Sequence, residues 1–523
     1  MLLGAYAPRS AAGTVLHQVV RTHLDRFLGE TAAATDGVGV PGFIEREFRD
    51  FLGCGALGRG FARVRCDDCA FERLVPFSCK ARAVCPSCGG RRMAEQAAHL
   101  VEAVLPVVPV RQWVLTVPHR LRYRLAFDHA LCRAVLGVFI RAVLGWYRRR
   151  ARRAGIPEGQ SGTVTVVQRF GSGLELHVHF HTLGLDGVFA PGTDGTLRFH
   201  RLPPPTDAEV ARLVATIARR VGRLLRRRGR GDDADGTDPL AAESLALAGL
   251  ASAAVQGRIA LGPRAGARVE RLGADPDGSR VEPGRPLQAR AEGFDLHAGV
   301  TVAGEDRDRL EQLCRYLLRP PIAQERLALR PDGSVLLTLK TPWRDGTSHL
   351  CFEPLTLLER LAALTPRPRI NLVLYHGILA PRATWRAAAV AYGRADAAAT
   401  PDGGAAVGGP AADAAPVAIP VGAEQERAPA TAGVPVAPAS GPATATPPPR
   451  DTPPSPAPPR RWRWAALLQR VFAVDVLVCP RCGGRMRVLA TIDDPDVVRR
   501  ILAHLGLAGG DGPPLGPWPY RAP

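Results

Sequence analysis

The sequence predicts an α+β protein in which a central, largely antiparallel sheet is flanked by helices and preceded by a small zinc-binding domain. Three observations carry this expectation. Strand-like runs come in pairs joined by short turns, around Gly171-Ser172-Gly173 and Pro331-Asp332-Gly333, which favours hairpins over parallel crossovers. Segments with apolar residues every three or four positions alternate with these runs and read as covering helices. Two Cys-x-x-Cys pairs, Cys66/Cys69 and Cys85/Cys88, are separated by fifteen residues and supply the four thiolates of a closed tetrahedral zinc site.

Each element follows from its local pattern. TVLHQVVRTHLDRFL (14–28) is an amphipathic helix and RRMAEQAAHLVEAVL (91–105) another. RQWVLTVP (111–118) reads as a strand, and residues 124–153 as one long helix ending in a cationic cluster. SGTVTVVQRF and LELHVHFHTLGL (161–170 and 174–185) form a hairpin. Thr206 followed by Glu209 opens a helix over 206–230 with a capping box. HAGVTV (297–302) is a strand, and residues 305–319 a helix stopped by Pro320 and Pro321. A hairpin around Pro331-Asp332-Gly333, a helix over 352–364 and a strand over 369–377 complete the central part. The domains expected are an N-terminal helical segment (1–42), the zinc-binding domain (43–105), a central α+β domain (106–392) with a mobile insertion at 230–290, a disordered Ala/Pro-rich linker (393–460), and a C-terminal Cys-x-x-Cys module (461–523).

Composition narrows the function. With 523 residues the chain exceeds one ordinary domain. Its 68 basic against 49 acidic residues, a formal charge of +19, point to a polyanion such as nucleic acid. Only Lys80 and Lys340 are lysines, so the charge is almost all arginine. No uninterrupted apolar run reaches membrane-span length and the first residues lack a signal-peptide pattern, so a cytoplasmic protein with no membrane partner is expected, associated with the nucleoid when bound to DNA. Eight of the eleven cysteines fall in two clusters, which in such a setting reads as metal binding rather than disulfides.

Two constellations carry chemistry. Beside the four expected zinc ligands, Cys54 and Cys79 could complete a second site or replace a ligand, and Arg91 and Arg92 on the following helix suit a phosphate backbone. Cys479 and Cys482 are half of a similar knuckle: the pair borrows ligands from the N-terminal cluster or from another molecule, or holds no metal. The second constellation is His177, His179 and His181, which alternation places on one face of a strand, either as solvated residues or as imidazoles presented to a metal. Tyr316, near the end of a helix with Arg315 and Arg319 beside it to bind phosphate, is the tyrosine placed to act as a nucleophile. Trp113 and Trp343 are core residues or base-stacking platforms.

The collinear order CDDC, CPSCGGRRM, RQWVLTVP, VQRFGSGLELHVHFHTLGLDGVF, RYLLRPPIA, LKTPWRDGTSHLCFEPL, PRINLVLYHGILAP and VLVCPRCGGRM resembles the rolling-circle transposases of the insertion-sequence-ninety-one family, in the HUH endonuclease superfamily. The resemblance covers about 43–390 and the C-terminal module. It implies an HUH-type sheet, single-stranded transposon ends as the DNA partner, and a catalytic magnesium or manganese besides structural zinc. It places the metal-binding histidines on His179 and His181, leaving His177 as an accessory, and the catalytic tyrosine on Tyr316, which stays attached to the 5′ phosphate and frees a 3′-OH. Gln168 on the partner strand is the expected third ligand, with Glu175 as the alternative. Many members carry a second tyrosine four residues earlier; here that residue is Gln312, so the chain resembles the single-tyrosine branch, and hydroxyl attack on the one phosphotyrosine, or a second protomer's tyrosine in a homodimer, could close the reaction. Other readings in view are a replication initiator or relaxase-like nickase, though no GxxxxGK[ST] helicase loop is present, and a non-catalytic zinc-ribbon DNA-binding protein.

Overall fold

Two helices open the part of the chain, residues 13–229, 238–274, 285–394 and 477–507, that the computed structural model describes. The Thr14 side chain caps α1 (Val15–Ala33), accepting from the His17 N–H, and α2 (Gly42–Leu52) turns Ile44, Phe48 and Phe51 inward at helical spacing. Strands β1 (Phe61–Cys66) and β2 (Glu72–Pro76) pair as a hairpin. Helix α3 (Pro86–Ala103) begins at Cys85, with Pro86 in the first helical position.

After β3 (Val110–Thr116), the single helix expected over 124–153 is two, α4 (His119–Phe127) and α5 (His129–Arg153). They break at Asp128, which leaves helical geometry and caps the N–H of Leu131. By length and composition α5 could cross a membrane, but Leu131, Val135, Phe139, Val143 and Tyr147 are buried in the main core. Strands β4 (Gly162–Phe170) and β5 (Leu176–Leu185) are the expected hairpin, followed by a small one of β6 (Gly187–Pro191) and β7 (Leu197–Arg201). Helix α6 (Asp207–Arg227) carries the Thr206/Glu209 capping box.

The stretch expected as a mobile insertion differs from that reading. Residues 238–274 hold α7 (Pro239–Glu243), α8 (Leu245–Gln256) and β8 (Glu270–Leu272), and α8 buries Leu247, Leu250, Ala251 and Ala254 in the main core. A run of leucine and alanine with almost no polar residue shows no period, so its helix was hidden in the pattern. Then come β9 (Gln288–Ala291), β10 (Phe294–Val302), α9 (Arg307–Leu318), β11 (Leu327–Leu329), β12 (Val335–Thr338), β13 (His349–Phe352), α10 (Pro354–Leu364), β14 (Val373–Gly377), α11 (Arg386–Ala391), β15 (Met486–Ile492) and α12 (Pro495–His504). The linker expected over 393–460 lies, past its first two residues, outside the described residues.

The main sheet has the order β14-β4-β5-β3-β10-β9, every neighbour antiparallel. Strand alternation divides its side chains between two cores. One face sends Trp113, Leu115, Val167, Val178 and Phe180 into the core shared with α5, α6, α8 and α10. The other sends Val110, Val164, Val166, Leu183 and Leu185 against α3 and α9. Three histidines of β5 share that second face, beneath α9. On the first face Arg111 is held by a bidentate pair with Asp186, at 2.9 and 2.8 Å, and both side chains are buried. Trp113 is wholly buried beside Trp146 and Tyr147, which makes it a core residue.

Candidate active site and metal centres

The β4–β5 register settles what alternation could not. Gln168 lies opposite His179 and Val166 opposite His181, so Gln168, His179 and His181 face the same side. The pairing shifts between Gln168 and Phe170, a bulge at the edge of the site.

Both imidazoles are oriented through Nδ1. Gln112 on β3 lies 2.8 Å from His181 Nδ1, and the carbonyl of His177 lies 3.1 Å from His179 Nδ1. Each Nε2 is left buried with no hydrogen-bond partner. Gln168 donates from Nε2 to the carbonyl of Leu317 at 3.1 Å, which fixes its amide and leaves Oε1 buried and unpartnered as well. Buried polar atoms are rarely left unsatisfied, and these three, two imidazole nitrogens and one amide oxygen on one face of the sheet, are atom types that can ligate a divalent ion. Burial holds the imidazoles of His177, His179 and His181 well below their ordinary value, and neighbouring cations such as Arg122 and Arg319 act the same way, so the rings are neutral and able to ligate at neutral pH. Glu175 sits aside from this group: its carboxylate accepts from the Gly173 N–H at 2.9 Å and lies 3.6 Å from His177 Nδ1.

Tyr316 approaches from α9. Its ring stands edge-on to that of His181, with centroids 6.0 Å apart. The Arg319 guanidinium lies 4.3 Å from the Tyr316 ring centre and donates to the Tyr316 carbonyl at 2.9 Å, and the Lys340 ammonium lies 5.8 Å from the same ring. Arg315 instead pairs with Glu311 on its own helix at 2.7 Å. Gln312, one turn before Tyr316, is exposed. Gln112 and Lys340 are site residues that the sequence did not single out. A glutamine inside an apolar strand and one of only two lysines were visible signals, but nothing local tied either to the histidines.

The cysteines group differently from the expected set, and the expected zinc site of Cys66, Cys69, Cys85 and Cys88 is corrected. Cys85 and Cys88 meet Cys54 and Cys79, while Cys66 and Cys69 meet Cys479 and Cys482. In the first group the sulfur separations are 3.7 Å (Cys54–Cys88), 3.5 Å (Cys79–Cys88) and 3.6 Å (Cys54–Cys85). Zinc–sulfur bonds of about 2.3 Å place tetrahedral thiolates roughly 3.8 Å apart, so this group is dimensioned for zinc, whereas a disulfide needs about 2.05 Å. The N–H groups of Cys79, Ala81 and Cys88 point at these sulfurs, at 3.4 to 3.5 Å. The physical reason for the regrouping is that Cys66 and Cys69 lie at the turn of the β1–β2 hairpin, and β2 carries the chain away from that turn before Cys79, Cys85 and Cys88. Arg92 donates to the carbonyls of Lys80 and Ala81 and so braces the loop between Cys79 and Cys85, while Arg91 is half-buried beside it. Trp343 is half-exposed, donates to Ser172 and stacks under Arg271, at the edge of a cleft of about 260 Å³.

Comparison with known families agrees with both parts. The family described as "Putative transposase" matches residues 162–386, which contain the histidines, Gln168 and Tyr316, and the family described as "Transposase zinc-binding domain" matches residues 21–117. No curated protein and no solved structure matches the chain. The two matched regions, together covering more than half of the sequence, contain the Cys54/Cys79/Cys85/Cys88 group and the buried His179–His181 pair respectively. The chain belongs to the transposases of the insertion-sequence-ninety-one family.

Proposed function

We propose that this transposase cuts single-stranded DNA at a transposon end by attack of Tyr316 on a backbone phosphate, and that the covalent product is the intermediate of rolling-circle strand transfer. The observation that carries this reading is that three buried, unpartnered atoms able to ligate a metal, Gln168 Oε1, His179 Nε2 and His181 Nε2, belong to side chains on one face of the sheet, beside the helix that bears Tyr316.

Gln168, His179 and His181 would hold magnesium or manganese, which supplies a Lewis acid that neutralises phosphate charge and fixes its geometry. Tyr316 Oη forms a bond to phosphorus as the bond from phosphorus to the 3′ oxygen breaks. The phenolic proton passes to solvent, and the leaving 3′ oxygen takes up a proton to become a 3′-OH. Arg319 and Lys340, above the ring, screen the charge on the phosphate as it changes partners. A later attack by a 3′-OH on the same phosphorus releases Tyr316 and rejoins DNA with no external energy source. With Gln312 one turn away, α9 offers a single tyrosine, and each attachment follows the last rather than accompanying it.

The test is covalent capture. With manganese and a labelled single strand spanning a transposon end, the full-length protein forms an adduct that resists denaturation, and Tyr316→Phe forms none. An adduct with the phenylalanine variant would assign the nucleophile elsewhere, and no adduct on any terminal sequence would favour a non-catalytic DNA-binding protein.

A further inference from the structure

We infer that the chain has a second tetrathiolate zinc site, formed by Cys66, Cys69, Cys479 and Cys482, which clasps the C-terminal segment onto the zinc-binding domain. All four sulfurs lie within 4.8 Å of one another, with Cys66–Cys482 at 3.5 Å and Cys69–Cys479 at 3.6 Å. These are zinc-type spacings and too long for disulfides. Two of the ligands lie outside the matched zinc-binding region, more than 360 residues beyond its end.

The surrounding fold is built for the clasp. Strand β15 pairs antiparallel with β1 from Phe61↔Ile492 to Cys66↔Met486, making a three-stranded sheet with β2. A Cβ at Gly60, whose φ is +103°, would fall 2.7 Å from the Ile492 carbonyl, so that contact requires glycine, and one at Gly484 would fall 1.8 Å from the Asp68 carboxylate and displace that side chain. Apolar packing of the strand itself is thin: of β15 only Met486 is buried, while Val488 and Leu489 are exposed. Apart from a small cluster in which Val498 and Leu502 of α12 meet Phe61, the segment has little to hold it, and four thiolates on two knuckles add a cross-link at the other end of the strand.

Native mass spectrometry of the full chain reads the answer directly. Wild type binds two zinc ions and Cys479→Ser/Cys482→Ser binds one. Amide exchange at β1 then rises on the β15 side. Cys482→His, which keeps a ligand, restores the second ion and the protection, and so separates loss of metal from loss of fold. One zinc in wild type, or two in the double serine variant, overturns the site.

An independent observation carries a second proposal. Helices α5 and α6 lie side by side and antiparallel, with Arg150 2.6 Å from Glu209 at one end and Arg228 donating to the Ala130 carbonyl at the other. Their outer faces expose Arg141, Arg148, Arg152, Arg212, Arg219 and Arg223 among other arginines, and Asp207 is the one exposed acid on either helix. These six make no ion pair among the described residues. Both helices pack on the sheet face opposite to α9, so this surface points away from Tyr316.

We propose that the arginine face binds the backbone of duplex DNA while the single strand occupies the Tyr316 site; this rests on the strand-cleavage reading above. Helix α6, 21 residues long, spans roughly 31 Å, close to one turn of B-form DNA. In Arg148→Ala/Arg152→Ala/Arg219→Ala/Arg223→Ala, the slope of log affinity against log salt for a blunt duplex falls by about 0.9 for each phosphate that the variant no longer neutralises. Adduct formation on a short single strand is retained in that variant. An unchanged duplex slope, or an equal loss for duplex, single strand and RNA, overturns the duplex assignment. Absence of an adduct in wild type strikes the cleavage reading alone, because the duplex titration needs no cleavage.

Discussion

The side-chain amide of Gln168 donates to the backbone carbonyl of Leu317, the residue after Tyr316, at 3.1 Å. One residue of the sheet thereby keeps its oxygen on the face of the histidine pair and holds the last turn of the helix that carries Tyr316. Carbonyls in a last helical turn lack intrahelical partners, and Pro320 and Pro321 prevent the helix from continuing to supply them. In Gln168→Glu the oxygen ligand is kept and gains charge, but a carboxylate replaces the N–H donor facing the Leu317 carbonyl. Manganese binding by calorimetry tightens while adduct formation slows; slower reaction accompanied by weaker metal binding would show that the glutamine acts as a ligand alone.

Gln112 orients His181 through Nδ1, the position from which a partner sets the tautomer of a ligating imidazole. Gln112→Leu keeps the volume and removes that partner. Manganese affinity falls on the order of 10- to 100-fold, with the thermal midpoint of the metal-free protein little changed. Wild-type affinity in this variant would remove Gln112 from the site.

The buried histidines also make stability depend on acid. Each is neutral in the fold with its proton affinity pushed well below the ordinary value of 6.5, whereas in the unfolded chain it protonates near that value. Their contribution is present above pH 6.5 and is lost as pH falls below it, where the unfolded state binds more protons, at up to about 1.4 kcal/mol per pH unit for each ring. Urea unfolding of metal-free protein at about pH 7.0 and about pH 5.5, either side of that value, gives a lower midpoint in the more acidic buffer. His177→Phe, which removes one titrating ring from the face, flattens the difference; an identical pH dependence in the variant would show that its acid sensitivity arises elsewhere.

Gly89 sits between the Cys85/Cys88 knuckle and the end of α9. A Cβ at this position would lie 2.7 Å from the Cβ of Pro320, the proline that stops α9, and α3 packs along α9. Gly89→Ala therefore pushes the end of α9 away from α3. Displacing a nucleophile by about 1 Å can cost on the order of 100-fold in rate, so adduct formation drops while zinc content by mass spectrometry stays at the wild-type value. Loss of zinc in the same variant would place the effect at the knuckle instead.

Local chemistry was legible where a short pattern has one physical meaning. The Thr206/Glu209 capping box, the Gly171–Gly173 hairpin, and the stop at Pro320 were written in a few adjacent residues, and each is present as expected. The Asp128 break inside an apolar run was not, because a capping aspartate and a solvated one look alike until the chain bends. Helix α8 was hidden for the opposite reason, a composition too uniform to show a period.

By itself the sequence determined which residue types could do chemistry here: alternating histidines on one strand face, a tyrosine at the end of an arginine-flanked helix, and cysteine knuckles in a chain of strong positive charge. Only tertiary structure decided their partners. Strand register set Gln168 across from His179, and sheet order brought Gln112 to His181 from a third strand. The pairing of β15 with β1 carried Cys479 and Cys482 across some 400 residues of chain to Cys66 and Cys69. Identical Cys-x-x-Cys spacings have equal claims on one another in sequence; in the fold, ligand sets are decided by which backbone segments hydrogen-bond side by side, and those bonds are long-range.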